Sequence, residues 1–171
     1  MGDTSFETIQ RAIEVVRVDQ NHPVPTIWQI RMVERLVKNQ NSVNQLPTGS
    51  GKTWPVISLP KILDVLRDDF HQDLPKKTRV LYIVPLVNIY HSLGHELEKL
   101  KIPYQILTSG FGAISKIDIN AKVVCLSPEK LLDKSVISSI FKLSWSLVSI
   151  DEPHLGKGPK VKISPLIEIA V

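Results

Sequence analysis

The chain has one cysteine, Cys125, in 171 residues, which excludes an internal disulfide and fits a reducing compartment. That cysteine stands in the apolar run 123–126, so it belongs to the core and not to a reactive surface. No stretch approaches the roughly 20 apolar residues that a membrane-spanning helix needs. The acidic, polar N-terminus is unlike a secretory signal, so no membrane partner is expected. Internal repeats and low-complexity tracts are absent as well. Excess charge is small, a net +4, which suits a nucleic-acid partner without requiring one. What the chain does have is apolar mass, 43% of its residues, enough for a core in one domain of ordinary size.

The most informative stretch is QLPTGSGKT, residues 45–53. Gly49 and Gly51 stand too close for the strict G-x-x-x-x-G-K-[ST] pattern, yet they fit a shorter loop that follows a proline. The chemistry is the same in both. Glycines let the backbone approach a polyphosphate and aim successive N–H groups at it, where a helix begins. Thr48, Gly49, Ser50 and Gly51 form that cradle, Lys52 adds a point charge for the β- and γ-phosphates, and the Thr53 hydroxyl can ligate Mg²⁺. Such a loop is expected to hold a nucleoside triphosphate.

About 100 residues further on, the apolar run Leu147, Val148, Ile150 ends in two carboxylates, Asp151 and Glu152. A buried strand ending this way puts both acids at the carboxyl edge of a sheet, where α/β proteins place ligands. Asp151 then completes the Mg²⁺ site with Thr53, and Glu152 orients and deprotonates the attacking water. Other groupings yield less. His91 and His95 have a spacing that could hold a metal, but no third ligand follows, and an exposed helix face is expected. Trp28 and Trp54 are expected to pack around the loop at 48–53, and Trp145 to lie in the core. Lys157, Lys160 and Lys162 suit phosphate contact and a solvated loop equally.

Hydrophobic periodicity predicts helices over 5–18, 26–39, from about 52, over 87–100 and over 128–143. Strands are predicted at 42–46, 79–84, 104–107, 121–126 and 146–150. Thr4 with Glu7 fits a capping box, Thr26 caps the second helix, and Ser127 with Pro128 opens the last one. Pro55 is tolerable in a first turn, whereas Pro60 should break or bend its helix. Strands alternating with helices imply an α/β fold, a parallel sheet covered on both faces.

Taken in order, these segments resemble the first motor domain of superfamily 2 DExH-type nucleic-acid helicases, and within them the RecQ group. Gln29 stands 23 residues ahead of Lys52, where that family keeps an adenine-reading glutamine. Ile83-Val84-Pro85-Leu86-Val87 and Leu126-Ser127-Pro128-Glu129-Lys130-Leu131 resemble two segments that touch nucleic acid, the second in a RecQ-like form. Asp151-Glu152-Pro153-His154 stands for the Asp-Glu-x-His box. The resemblance implies a RecA-like P-loop NTPase domain that binds ATP and Mg²⁺. It makes Lys52 and Glu152 catalytic, Gln29 the adenine contact, and Pro85, Leu86, Ser127, Pro128 and Glu129 nucleic-acid contacts. It also implies ATP-dependent 3′-to-5′ unwinding of DNA with a single-stranded region, in recombination and repair. The setting is the nucleus of a eukaryote, or otherwise the cytoplasm. Two departures stand out: Pro153 replaces the usual alanine, and no Phe, Tyr or Trp follows it where RecQ helicases have an aromatic-rich loop.

Helicases of this superfamily place ATP between two motor domains, the second supplying an arginine finger. No Ser-Ala-Thr-like third motif is visible before Val171. The expected organisation is therefore a helical segment and linker over 1–24. An ATP-binding domain over 25–171 follows, incomplete at its C-terminal end and lacking the second RecA-like domain. A P-loop ATPase that moves something other than nucleic acid would lack the segments at 85–86 and 127–129. A non-catalytic half-motor that holds ATP or DNA without turnover, and an RNA helicase of the same superfamily, stay open.

Overall fold

The computed structural model describes residues 4–40, 49–76, 78–84, 89–108, 116–151 and 169–170. Helix α1 (Phe6–Asp19) starts at Ser5, whose hydroxyl accepts from the Thr8 N–H at 3.2 Å. The cap thus falls one residue after Thr4, which is buried and donates instead to Gln72 Oε1 at 3.0 Å. Ile9, Ala12, Ile13 and Val16 form the buried stripe of α1. Helix α2 (Ile27–Val37) has Thr26 as its cap, and Gln29 reaches back to the Thr26 N–H at 2.8 Å.

Helix α3 (Thr53–Asp68) corrects the expected break at Pro60. It runs unbroken through Pro60. A proline in a helix interior costs about 3 kcal/mol. Against that, α3 is buried nearly all round, with Ile57, Leu59, Ile62, Leu63 and Leu66 inside. Burying each such side chain stabilises by about 1.5–3 kcal/mol, so packing prevails over the lost hydrogen bond.

The sheet consists of β1 (Val80–Ile83), β2 (Tyr104–Leu107), β3 (Val123–Leu126), β4 (Leu147–Ile150) and the two-residue β5 (Ile169–Ala170). Its order is β2-β3-β1-β4-β5, and every pairing is parallel. Helix α4 (Ile89–Lys99) links β1 to β2. β5 was not anticipated: two paired residues are too short to leave a periodic signal. The helix expected over 128–143 is split into a 3-10 turn (Pro128–Leu132) and α5 (Lys134–Phe141). Asp133 divides them by adopting an extended conformation and accepting from the Ser135 N–H, which restarts the helix with a new cap. The strand expected at 42–46 lies outside the described residues.

Alternation along the strands separates two cores. Val80, Tyr82, Val84, Val123, Cys125 and Leu147 face α1, α2, α3 and α4, while Leu81, Ile83, Val124, Leu126 and Val148 face α5. Helices therefore cover both faces, as expected for a RecA-like domain, and α1 shares the first core. Ile83 pairs with Leu126 on one side and with Ile150 on the other. Val84, Ser127 and Asp151 consequently emerge side by side at the carboxyl edge. That edge carries the site.

Candidate nucleotide site at the carboxyl edge of the sheet

Gly49 and Gly51 both have positive φ, +80° and +73°, the left-handed region that favours glycine. Two such turns bend the chain into the start of α3. Ser50, between them, has a buried hydroxyl with no hydrogen-bond partner among the described residues, and a buried polar atom left unpaired is costly unless something is to meet it. Lys52 follows, its Nζ 3.5 Å from Asp151 Oδ1. A cradle with an orphaned hydroxyl and a lysine facing an aspartate fits a polyphosphate with a divalent cation. Thr53 and Asp151 would hold the metal, which when bound supplies positive charge to the phosphates.

Asp151 is held from three directions. Its backbone N–H donates to the Ile83 carbonyl at 2.9 Å, extending the β1–β4 ladder by one residue. Lys52 faces one carboxylate oxygen, and the Tyr82 hydroxyl donates to the other, Oδ2, at 2.9 Å. Burial, with the charge of Asp151 next in weight, pushes the Tyr82 phenol far above its usual range. Tyr82 therefore remains a donor at any working pH. Sequence reading missed it, because a tyrosine in a β-rich run looks like ordinary core.

Gln29 is buried, and its amide is already in use. Oε1 accepts from both the Thr26 N–H and the Thr26 hydroxyl, at 2.8 and 3.1 Å, while Nε2 donates to the Gly51 carbonyl at 3.0 Å. The side chain thus ties the first turn of α2 to the phosphate loop. An amide that reads adenine uses a donor and an acceptor together. Among the described residues the second N–H of this amide meets no acceptor, and its oxygen would have to leave Thr26 to read a base.

Gly51→Ala tests this junction. An added Cβ would stand 2.8 Å from Gln29 Nε2, at a φ that costs an L-residue about 1–2 kcal/mol. The expected outcome is an ATP affinity lowered about tenfold or more, with partial recovery in Gly51→Ala/Gln29→Ala, where the clash is gone and the φ cost stays. Titration with a fluorescent ATP analogue measures both. Complete recovery would mean that the backbone conformation at Gly51 is unimportant.

The remaining expectations fall as follows. Thr48, Pro85, Leu86 and Glu152 lie outside the described residues, as does the Lys157, Lys160, Lys162 series. Ser127, Pro128 and Glu129 stand at the end of β3, separated from Asp151 by β1. Their exposure differs: Ser127 is buried, its hydroxyl without a partner among the described residues, Pro128 is half-buried and Glu129 is exposed. Tyr90 on α4, also missed, donates to the Val84 carbonyl and fixes the end of β1. Trp54 is buried against the first core, bonded to Gln20 at 3.4 Å and stacked on His22. Trp28 packs on the same core, and Trp145 is half-buried against the second. His91 and His95 are exposed, and no group among the described residues has three His, Cys, Asp or Glu side chains placed to hold a metal. Cys125 is buried, and burial pushes its thiol far up, so it is inert. Among the described residues no helix is long and apolar enough to cross a membrane.

Residues 26–162, most of the chain, match the sequence profile of the DEAD/DEAH box helicase. The chain belongs to the DEAD/DEAH box helicase family. Comparison with curated proteins gives no match. Membership makes the domain that of an ATP-dependent nucleic-acid helicase, an ATPase of a family that uses ATP, generally with Mg²⁺. The DEAD/DEAH profile starts at Thr26, the residue that Gln29 caps, and runs past Asp151. Both sides of the nucleotide site are thus inside the matched segment.

Proposed function

We propose that this chain is the ATP-binding half of a DNA helicase of the RecQ type, working 3′ to 5′ in recombination or repair. The observation that carries the nucleotide part is the Lys52 ammonium facing Asp151 beneath a loop with two left-handed glycines. In this reading Lys52 contacts the β- and γ-phosphates, while the backbone of 48–51 cradles them and Ser50 gains a partner. Thr53 and Asp151 hold Mg²⁺, and Glu152 takes the proton of the attacking water. The preference for DNA and the polarity rest on the Ser-Pro-Glu-Lys form of 127–130, which resembles the RecQ segment at the same sheet edge. Pro85, Leu86, Ser127, Pro128 and Glu129 would line the strand's path, and a second RecA-like domain would close the ATP cleft. A nuclear setting in a eukaryote, or a cytoplasmic one otherwise, suits the buried, reduced Cys125.

The test is ATP hydrolysis, with a second motor domain joined to this one, in the presence of single-stranded DNA, duplex DNA with a 3′ or a 5′ overhang, and RNA. Single-stranded DNA and the 3′ overhang are expected to stimulate hydrolysis and RNA to leave it at its basal rate. Stimulation should fall steeply with added salt, as phosphate contacts release counterions. Stimulation by RNA alone would replace the DNA assignment with the RNA one.

A further inference from the structure

On the α3-facing side of the sheet, the strand residues around Tyr82 are Val80, Val84, Val123, Cys125 and Leu147. A tyrosine in that company must find a partner for its hydroxyl, since burying one unbonded is costly. Tyr82 is 3% exposed, and its hydroxyl donates to Asp151 Oδ2 at 2.9 Å. One buried oxygen on β1 therefore meets the carboxylate assigned to Mg²⁺.

The two oxygens of Asp151 are thereby distinguished. Oδ2 accepts the phenol, and Oδ1 faces Lys52. We infer that Tyr82 is a positioning residue for the metal site, locking Asp151 through Oδ2 so that Oδ1 is the oxygen presented toward the phosphate loop. This rests on the nucleotide-site reading above. An O–H donated to a carboxylate is among the stronger hydrogen bonds, and the tyrosine ring is fixed by core packing. The carboxylate's orientation is thus set before anything binds, as partners behind a metal ligand commonly do. Lys52 can move to a phosphate without releasing Asp151, because the Tyr82 bond does not involve it.

Tyr82→Phe removes one oxygen and keeps the ring. Wild type and variant are titrated with a fluorescent ATP analogue across a Mg²⁺ series and again in EDTA, with thermal melts alongside. Expected is unchanged affinity in EDTA and a roughly tenfold rise in the Mg²⁺ concentration giving half-maximal enhancement, the scale of lost support behind a ligand. Asp151→Ala should abolish the Mg²⁺ enhancement in the same assay. The same Mg²⁺ midpoint in Tyr82→Phe and wild type overturns the inference while leaving the nucleotide site intact. So does an equal loss with and without Mg²⁺, which would make Tyr82 a packing residue only. If wild type binds no nucleotide at all, the nucleotide-site reading falls and takes the inference with it.

Discussion

Lys52→Ala is expected to lower ATP affinity roughly 10- to 100-fold, since a hydrogen bond to a charged group contributes about 1.5–3 kcal/mol. Lys52 is the charge that the structure places at the phosphate loop, opposite Asp151 at 3.5 Å. The fold should survive. Its ammonium is partly exposed, and Asp151 keeps the Tyr82 hydroxyl and its own backbone bond to Ile83 when the lysine is gone. A partly screened pair of this kind contributes little to stability, about 1 kcal/mol or less, so melting should move by only a few degrees. Titration of a fluorescent ATP analogue, with a thermal melt as control, measures the effect. Equal affinity in variant and wild type would remove the phosphate role from this loop.

Glu152→Gln is expected to act on a different quantity. In the proposed mechanism Glu152 handles the water and not the metal, so Mg·ATP binding should stay nearly unchanged. Turnover should fall by about 10²-fold or more, the scale of a positioned general base. The measurement is nucleic-acid-stimulated hydrolysis with a second motor domain joined to this one, compared with binding by the same protein. The amide still accepts a hydrogen bond but cannot take a proton, so ATP should accumulate bound and uncleaved. Brisk hydrolysis that Glu152→Gln leaves untouched would refute the role given to that carboxylate.

Much of this architecture was legible before any coordinates, and the reason differs between features. Strands β1, β3 and β4 are continuous apolar runs because both faces of a parallel sheet are covered, and such runs are easy to see. The meeting of the loop at 49–53 with Asp151 at the sheet edge followed from residue types at a spacing that few other arrangements share. The misses lie where tertiary contact decides. Nothing local predicts that α3 tolerates Pro60, because the compensation comes from side chains of α1, α2 and the sheet. Asp133 was overlooked as a restart point, since one aspartate in a helical pattern carries no warning until its side chain bonds Ser135. Tyr82 and Gln29 show the same limit at the site. Their partners, Asp151 and Gly51, lie 69 and 22 residues away, and no pattern in sequence announces a bond of that span.

Helix α3 starts at the phosphate loop and is enclosed on nearly all sides by apolar neighbours. Interiors packed to crystal density barely compress. A nucleotide arriving at the N-terminus of this rod meets an anvil and not a spring. Among the described residues, the ties at that end of the rod include the Gln29 amide on the Gly51 carbonyl and the Lys52 ammonium facing Asp151. In the proposed reading, the parts best placed to yield to an arriving nucleotide are the loop and the first turn of α2, which meet at the Gly51 carbonyl.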